Sequence, residues 1–194
     1  MDLPHVPVGL AAAPAEASLH QQIDPATPGW LLPLARALVL VNRGVMLLGM
    51  VALLASALIL TSSVVTRYFL HASTDWQDEA SVFCLVGATF LCSAFVQAIR
   101  GHVGIEAVSS LLPPGVDRVR VALVDVGCLA FCVFFAWKSC TLLHEAWAEG
   151  QTTSSSWAPP LWIPYLLMSL GMILLSVQLA VQVVVSANKL GGAR

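Results

Sequence analysis

Four apolar segments, each long enough to cross a lipid bilayer, constrain this chain more than any other feature of its sequence. A membrane-spanning helix needs about 20 predominantly apolar residues, because the hydrocarbon layer is about 30 Å thick. Only 10% of the residues are charged, whereas an ordinary soluble domain has about 25%. The sequence therefore predicts an all-α membrane protein with four transmembrane helices, over residues 44–65, 79–99, 119–143 and 162–185.

The positions of the basic residues predict how the helices are oriented. Of the nine Lys and Arg residues, all but Arg67 and Lys138 precede the first helix, flank the connection between the second and third, or end the chain. The positive-inside rule then places both termini in the cytoplasm. We expect residues 1–33 to be a disordered cytoplasmic tail, residues 34–187 to form the transmembrane domain, and residues 188–194 to be a cytoplasmic C-terminal tail.

Small residues recur at every fourth position on the second and third helices. Stripes of this kind let membrane helices approach closely and gain packing contacts. We therefore expect the cysteines to serve packing against helices of this chain or of a partner, and not metal binding, redox chemistry or disulfides. The stripe residues are Ala80, Cys84, Ala88 and Cys92 on the second helix and Cys128, Cys132, Ala136 and Cys140 on the third.

A polar segment, "TRYFLHASTDWQDEASVF", separates the first two apolar windows. Thr74 and Gln77 have the spacing of a capping box for the second helix. Asp75, Asp78 and Glu79 then fall in the first turn, where negative charge interacts favourably with the helix dipole. The segment is therefore predicted to end one helix and to start the next.

The same segment has the composition of a partner interface. Tyr68 and Trp76 are aromatic anchors of the kind found at membrane–water interfaces, and the single arginine is close enough in sequence to pair with one of the acids. Capping alone does not require three acids at one exposed end of a chain with few charges. We expect a docking surface there, formed by Arg67, Tyr68, Asp75, Trp76, Asp78 and Glu79.

Two ionisable residues lie inside the third apolar window. Lys138 follows Val119 by about 28 Å of helix, so we expect its ammonium to reach the outer interface by snorkelling. Asp125 lies only about 9 Å into the helix by the same measure. We expect it to have a structural partner, such as an arginine at the inner rim, with a functional role as the alternative.

Several kinds of chemistry are disfavoured. None of the five histidines lies near the middle of a span, which argues against a haem-binding membrane cytochrome or a quinone-linked anchor subunit. His144, Glu145 and Glu149 resemble metal-ligand spacing only loosely, and we interpret them as a solvated helix end. The net charge of −2 and the lack of a basic cluster argue against nucleic acid as a partner. We predict no catalytic residue, metal or cofactor.

Three short patterns follow one another along the chain. The first, "VVTRYFLHASTDWQDEA", ends the first helix with Arg67-Tyr68 and continues to Trp76 and Glu79. The third, "PLWIPYLLMSLG", opens the fourth helix and includes Ser169.

The second pattern, "FLCSAFVQAIRGHVGIEAVSSLLP", covers the connection between the second and third helices. Its apolar positions share a helical face, and the two prolines that follow would end the segment. We expect a short interfacial helix here. The predicted interfacial segment includes His102, Val103, Ile105 and Glu106.

Together these patterns resemble the small permease subunit (DctQ type) of tripartite ATP-independent periplasmic (TRAP) transporters. The first matches the family's R-Y, W and E, the second its H-I-x-V-D segment, and the third its P-x-W-x-x-Y and P-x-G run. The departures are Val103, Ile105 and Glu106 for the family's Ile, Val and Asp, and Ser169 for a proline. The resemblance covers residues 36–185.

The resemblance implies a function that the residues alone do not. Such a subunit supports the scaffold of a large permease subunit (DctM type) in the bacterial inner membrane and helps a periplasmic substrate-binding protein to dock. The complex takes up an organic acid, driven by an ion gradient. The alternatives are a self-sufficient small four-helix transporter, for which Asp125 would be the membrane carboxylate, and a structural tetraspan protein.

Overall fold

A computed structural model describes residues 27–71, 73–99 and 114–191. Within these ranges the chain is helical, apart from connections and one isolated bridge between Thr152 and Pro160. A 3-10 turn at Gly29–Leu31 leads into the first of four α-helices. The helices are α1 (Leu32–Leu70), α2 (Asp75–Ala98), α3 (Pro114–Ala148) and α4 (Trp162–Gly191).

All four helices are long and apolar enough to cross a membrane, which confirms an all-helical protein with four candidate spans. α1, α3 and α4 extend well beyond the windows expected from hydropathy. The 39 residues of α1 correspond to about 58 Å at 1.5 Å per residue. Pro33 lies in the first turn of α1, where its missing N–H leaves no helical hydrogen bond unmade, so the helix begins well before Gly44.

The helices pack in the order α1, α2, α4, α3, with an extensive contact between each successive pair. α1 and α3 share no extensive contact within the described ranges. α4 is the most enclosed, with 44% of the residues in its most apolar window buried, against 11% for α1. Large apolar side chains cover the outside, as in Leu48, Val64 and Leu123, which are each more than 60% exposed. A surface of this kind suits contact with lipid acyl chains.

Two glycines allow the closest helix approaches. A Cβ at Gly171 of α4 would collide with the backbone carbonyl group of Phe90 in α2, and one at Gly49 of α1 would collide with the sulfur of Cys92. α2 is therefore in near-backbone contact with α4 on one side and with α1 on another. Small residues at membrane helix interfaces act in this way, since dispersion contacts increase as backbones approach.

Amide side chains connect the helices across their apolar surfaces. Asn42 of α1 donates from Nδ2 to Oε1 of Gln178 in α4 at 3.1 Å. Gln97 of α2 donates from Nε2 to Oε1 of Gln182 in α4 at 2.8 Å, and Gln182 donates back to the backbone oxygen of Gln97 at 2.9 Å. These hydrogen bonds were not predicted from the sequence. The sequence does contain one indication of them. Four amide residues lie within long apolar helices, where an amide without a hydrogen-bond partner is energetically costly: Asn42, Gln97, Gln178 and Gln182.

Asp125 is 5% exposed on α3. The hydroxyl of Ser186 in α4 donates to its Oδ2 at 3.0 Å. The carboxylate therefore helps to join α3 to α4. A structural partner for Asp125, such as an arginine, was expected from the sequence, and Ser186 of α4 is one such partner.

Candidate partner interface at the α1–α2 turn

The connection between α1 and α2 is short because one residue stops the helix abruptly. His71 adopts a left-handed conformation with φ 50° and ψ 29° immediately after Leu70. A side chain in this conformation is uncommon outside glycine and asparagine, and it ends a helix by turning the backbone out of the helical path. α2 then begins at Asp75, so the polar segment predicted to join two helices does so.

Arg67 lies in the last turn of α1 and stabilises the connection to α2 by hydrogen bonds. Its Nη2 donates to Oδ2 of Asp78 at 2.7 Å and to Oγ1 of Thr74 at 2.7 Å. Ser63, one turn earlier, donates to the other oxygen of Asp78 at 3.0 Å. Both carboxylate oxygens of Asp78 are therefore held by α1. The expected pairing of Arg67 with one of the acids is confirmed by this ion pair.

The predicted capping box is wrong, although α2 does begin directly after Thr74. The Thr74 side chain makes no bond to the helix backbone, because its hydroxyl accepts hydrogen bonds from Arg67. Its backbone oxygen accepts the N–H of Gln77 at 3.0 Å. The side chain of Gln77 is buried and its Oε1 has no partner among the described residues. A nearby guanidinium therefore displaces the reciprocal bonds of a capping box.

The three acids of the segment differ in their exposure and in their contacts. Asp78 is tied to α1, whereas Asp75 is exposed and makes no ion pair or side-chain hydrogen bond within the described part of the chain. Glu79 is half-buried, and its Oε2 is enclosed without a partner in the same ranges. Asp75 and Asp78 lie in the first turn of α2, where they favour the positive end of the helix dipole.

Two aromatic residues of the segment are presented to the surroundings. Tyr68 is 75% exposed and Trp76 is 50% exposed. Trp76 packs edge-to-face against Trp157 of the α3–α4 connection, with ring centroids 6.5 Å apart. Trp157 could not be predicted to belong to this site, because nothing in the sequence indicates which distant loop lies over the start of α2. We refer to Asp75, Trp76 and Trp157 as the turn patch.

The loop that carries Trp157 is held by its own backbone bonds. The N–H of Thr153 donates to Pro159 at 3.0 Å, and that of Leu161 donates to Gln151 at 2.9 Å. At its base, Trp147 of α3 packs edge-to-face against Trp162 of α4, with centroids 5.1 Å apart. The Trp157 side of the turn patch therefore lies on a loop that is closed by backbone hydrogen bonds.

A cleft of about 520 Å³ opens beside the turn patch. It is lined by side chains from the end of α1, the turn and the start of α2, namely Arg67, His71, Ser73, Thr74 and Asp75. The lining combines basic groups, hydroxyls and a carboxylate, so the cleft is polar and suits a polar segment of a partner better than an apolar one.

The residues of the small-residue stripes differ in their burial. Ala88, Cys132 and Ala136 are buried, and Cys128 is exposed on the surface of α3. Half-buried positions make up the rest of the stripes: Ala80, Cys84, Cys92 and Cys140. Cys132 and Ala136 join Met172 and Leu179 in the apolar core between α3 and α4.

Two further expectations concern other parts of the chain. The interfacial segment with His102, Val103, Ile105 and Glu106 lies outside the described residues. Within the described ranges, no group of three or more His, Cys, Asp or Glu side chains is arranged to hold a metal ion. His144 and Glu145 are exposed, and Glu149 accepts a bond from Gln151 at 2.7 Å.

Comparison with known proteins identifies the family. The profile described as "Tripartite ATP-independent periplasmic transporters, DctQ component" matches residues 56–188, a range that begins within α1 and includes α2, α3 and most of α4. No curated protein and no solved structure matches the chain. Four membrane-length helices agree with a permease component. The chain belongs to the DctQ family, the small permease component of TRAP transporters.

Proposed function

We propose that this chain works with a large permease subunit of DctM type and a periplasmic substrate-binding protein to take up an organic acid. In this proposal an ion gradient drives uptake, and the chain lies in the bacterial inner membrane with both termini in the cytoplasm. Its roles are to support the scaffold of the large subunit and to help the binding protein dock. Membership of the DctQ family supports the proposal.

The observation that carries the docking role is the turn patch. Its carboxylate at Asp75 is not used in holding the chain together, and its two indoles are about half exposed. Aromatic side chains are enriched at the centres of protein interfaces, while charges beside them steer association. Trp157 of the patch lies on a loop that is closed by backbone hydrogen bonds, and its ring packs against Trp76.

Asp78 and Asp75 have different expected roles in docking. Asp78 accepts bonds from Ser63 and Arg67, so replacing it would disturb the α1–α2 turn itself. Asp75 projects outward three residues earlier in the same turn. A change at Asp75 therefore tests docking without removing a hydrogen bond or an ion pair of the fold, and it costs only the small interaction of its charge with the dipole of α2.

The test is uptake by the reconstituted transporter as a function of binding-protein concentration. With Asp75→Lys, the concentration needed for half-maximal uptake should rise about tenfold, because a favourable charge contact becomes a repulsive one. The maximal rate and the amount of complex should not change. Glu145→Lys is the matched control, since Glu145 is an exposed acid at the same end and outside the turn patch.

An unchanged concentration dependence for Asp75→Lys would remove the docking role from the turn patch. The wider proposal has its own test, which is purification of the tagged wild-type chain from its native membrane. A DctM-type subunit should accompany it in fixed proportion. Uptake by the chain alone in vesicles would instead support a self-sufficient transporter.

A further inference from the structure

The connection between α3 and α4 folds back on itself around Trp157. The N–H of Leu161 donates to the backbone oxygen of Gln151 at 2.9 Å, and the N–H of Thr153 donates to that of Pro159 at 3.0 Å. Each bond joins a residue before Trp157 to a residue after it, as in a short hairpin. Because these bonds are made by the backbone, they hold the base of the connection without using the indole.

A further hydrogen bond holds residues 155–158, which we call the tip. The N–H of Ala158 donates to the hydroxyl oxygen of Ser155 at 3.1 Å, and only Ser156 and Trp157 lie between the two residues. The same hydroxyl lies 3.3 Å from that of Thr153, so it can accept from Ala158 and donate to Thr153. Bonds from a serine side chain to a nearby backbone N–H stabilise turns. Ser155 therefore fixes the backbone on both sides of Trp157.

Ala158 has a backbone conformation that alanine rarely adopts. Its φ is 47°, in the left-handed region, where a Cβ is disfavoured. The next residue is Pro159, and a residue before proline ordinarily takes an extended conformation. An unfavourable conformation of this kind persists only where surrounding contacts hold it, and such conformations cluster at ligand-binding positions. Backbone strain is therefore stored directly beside Trp157.

The indole at the tip remains available to a partner. Trp157 is 49% exposed, and its ring contacts Trp76 edge-to-face at an interplanar angle of 73°. Its indole N–H makes no hydrogen bond to any residue that the structure describes. A tryptophan that served the core would be buried, with its N–H bonded. Because the ring rests on Trp76, a partner that covers the turn patch also covers the tip.

We propose that the tip is a preformed anchor for the binding protein, with Ser155 and Ala158 as its positioning residues. Trp157 enters an apolar pocket of that protein, and the pocket offers a hydrogen-bond acceptor to the indole N–H. This inference rests on the proposed function, which supplies the partner. Tryptophan is among the residues that dominate binding energy at interfaces. A tip that is fixed before association loses little conformational entropy on binding.

The test is the concentration of binding protein needed for half-maximal uptake by the reconstituted transporter. Trp157→Ala should raise it about 30-fold, as expected for a central anchor. Ser155→Ala should raise it about fivefold, because the tip loses the bond that fixes it. Ser155→Thr keeps the hydroxyl and should restore the wild-type value. The maximal rate and the amount of complex should not change in these variants.

Two substitutions at Ala158 test the backbone conformation separately. Ala158→Gly should leave the half-maximal concentration within about twofold of the wild type, because glycine adopts a positive φ readily. Ala158→Val should raise it as much as Ser155→Ala does, because a β-branched residue strongly disfavours this φ. If Ala158→Val lowers the amount of complex, the comparison of Ser155→Ala with Ser155→Thr decides.

The outcomes separate this inference from the proposed function. If Trp157→Ala leaves the concentration dependence unchanged while Asp75→Lys alters it, the indole does not anchor the binding protein and this inference fails alone. If Trp157→Ala raises the half-maximal concentration but Ser155→Ala does not, the roles of Ser155 and Ala158 as positioning residues are overturned. If neither Trp157→Ala nor Asp75→Lys has an effect, the docking role of the turn patch fails as well.

Discussion

Replacing Gly171 with alanine tests how closely α2 and α4 are packed. The added methyl group would lie 2.5 Å from the carbonyl carbon of Phe90 and 2.9 Å from its Cβ, whereas ordinary contact begins at 3.4 Å. The obstacle is backbone, so the two helices must separate locally by about 0.9 Å. A gap of 0.5–1 Å forfeits roughly a quarter to a half of the dispersion energy of each affected contact. Overpacking of this kind costs about 1–3 kcal/mol.

Gly127→Ala is the matched control, because a Cβ at Gly127 on α3 would meet no atom within 4 Å. Both substitutions gain the same helix propensity, so the difference between the two variants isolates the collision. The assay is unfolding in mixed micelles of increasing denaturing detergent, followed by circular dichroism. Gly171→Ala should unfold with a free energy about 1–3 kcal/mol below that of Gly127→Ala. Equal stability of the two variants would refute the near-backbone contact of α2 with α4.

Two further predictions use the same unfolding assay. Arg67→Ala should lower the free energy of unfolding by less than about 1 kcal/mol, because the Arg67 and Asp78 side chains are 63% and 47% exposed and water screens the pair; a loss above about 2 kcal/mol would show that the pair is more enclosed. Gln97→Leu and Gln182→Leu should show a coupling energy of about 0.6–1.7 kcal/mol in a double-mutant cycle. Additive effects would mean that the two amides do not bond in the membrane.

The number and type of helices could be predicted because the bilayer imposes a length on any apolar segment that crosses it. The helix ends could not be predicted in the same way. Arg36 and Arg43 end the apolar window in hydropathy, yet both lie within α1, since a charge does not stop a helix. The actual stop, His71, carries no glycine or proline signal. Its left-handed conformation occurs together with the bonds from Arg67 to Thr74 and Asp78 across the turn.

At the candidate site, too, contacts between residues close in sequence could be predicted, whereas contacts between distant residues could not. The pairing of Arg67 with an acid followed from proximity in sequence. The failure of the capping box followed from the same arginine, because its side chain competes for the hydroxyl of Thr74. Trp157 and the amide bonds to α4 join residues distant in the sequence. No local pattern identifies such partners, because helix order and rotation decide them.

The length of α1 has a consequence for where its first residues lie. To immerse about 58 Å of helix in a hydrocarbon layer about 30 Å thick, α1 would need a tilt near 60°, beyond the range of about 0–40° seen for membrane helices. The α1–α2 turn fixes one end of α1 beside the start of α2, which has only 24 residues. The surplus therefore falls at the other end, where Leu31 and Leu38 pack with Val181 of α4. We therefore expect α1 to leave the acyl chains at that end, where the exposed side chain of Arg36 is available to phosphate groups and water.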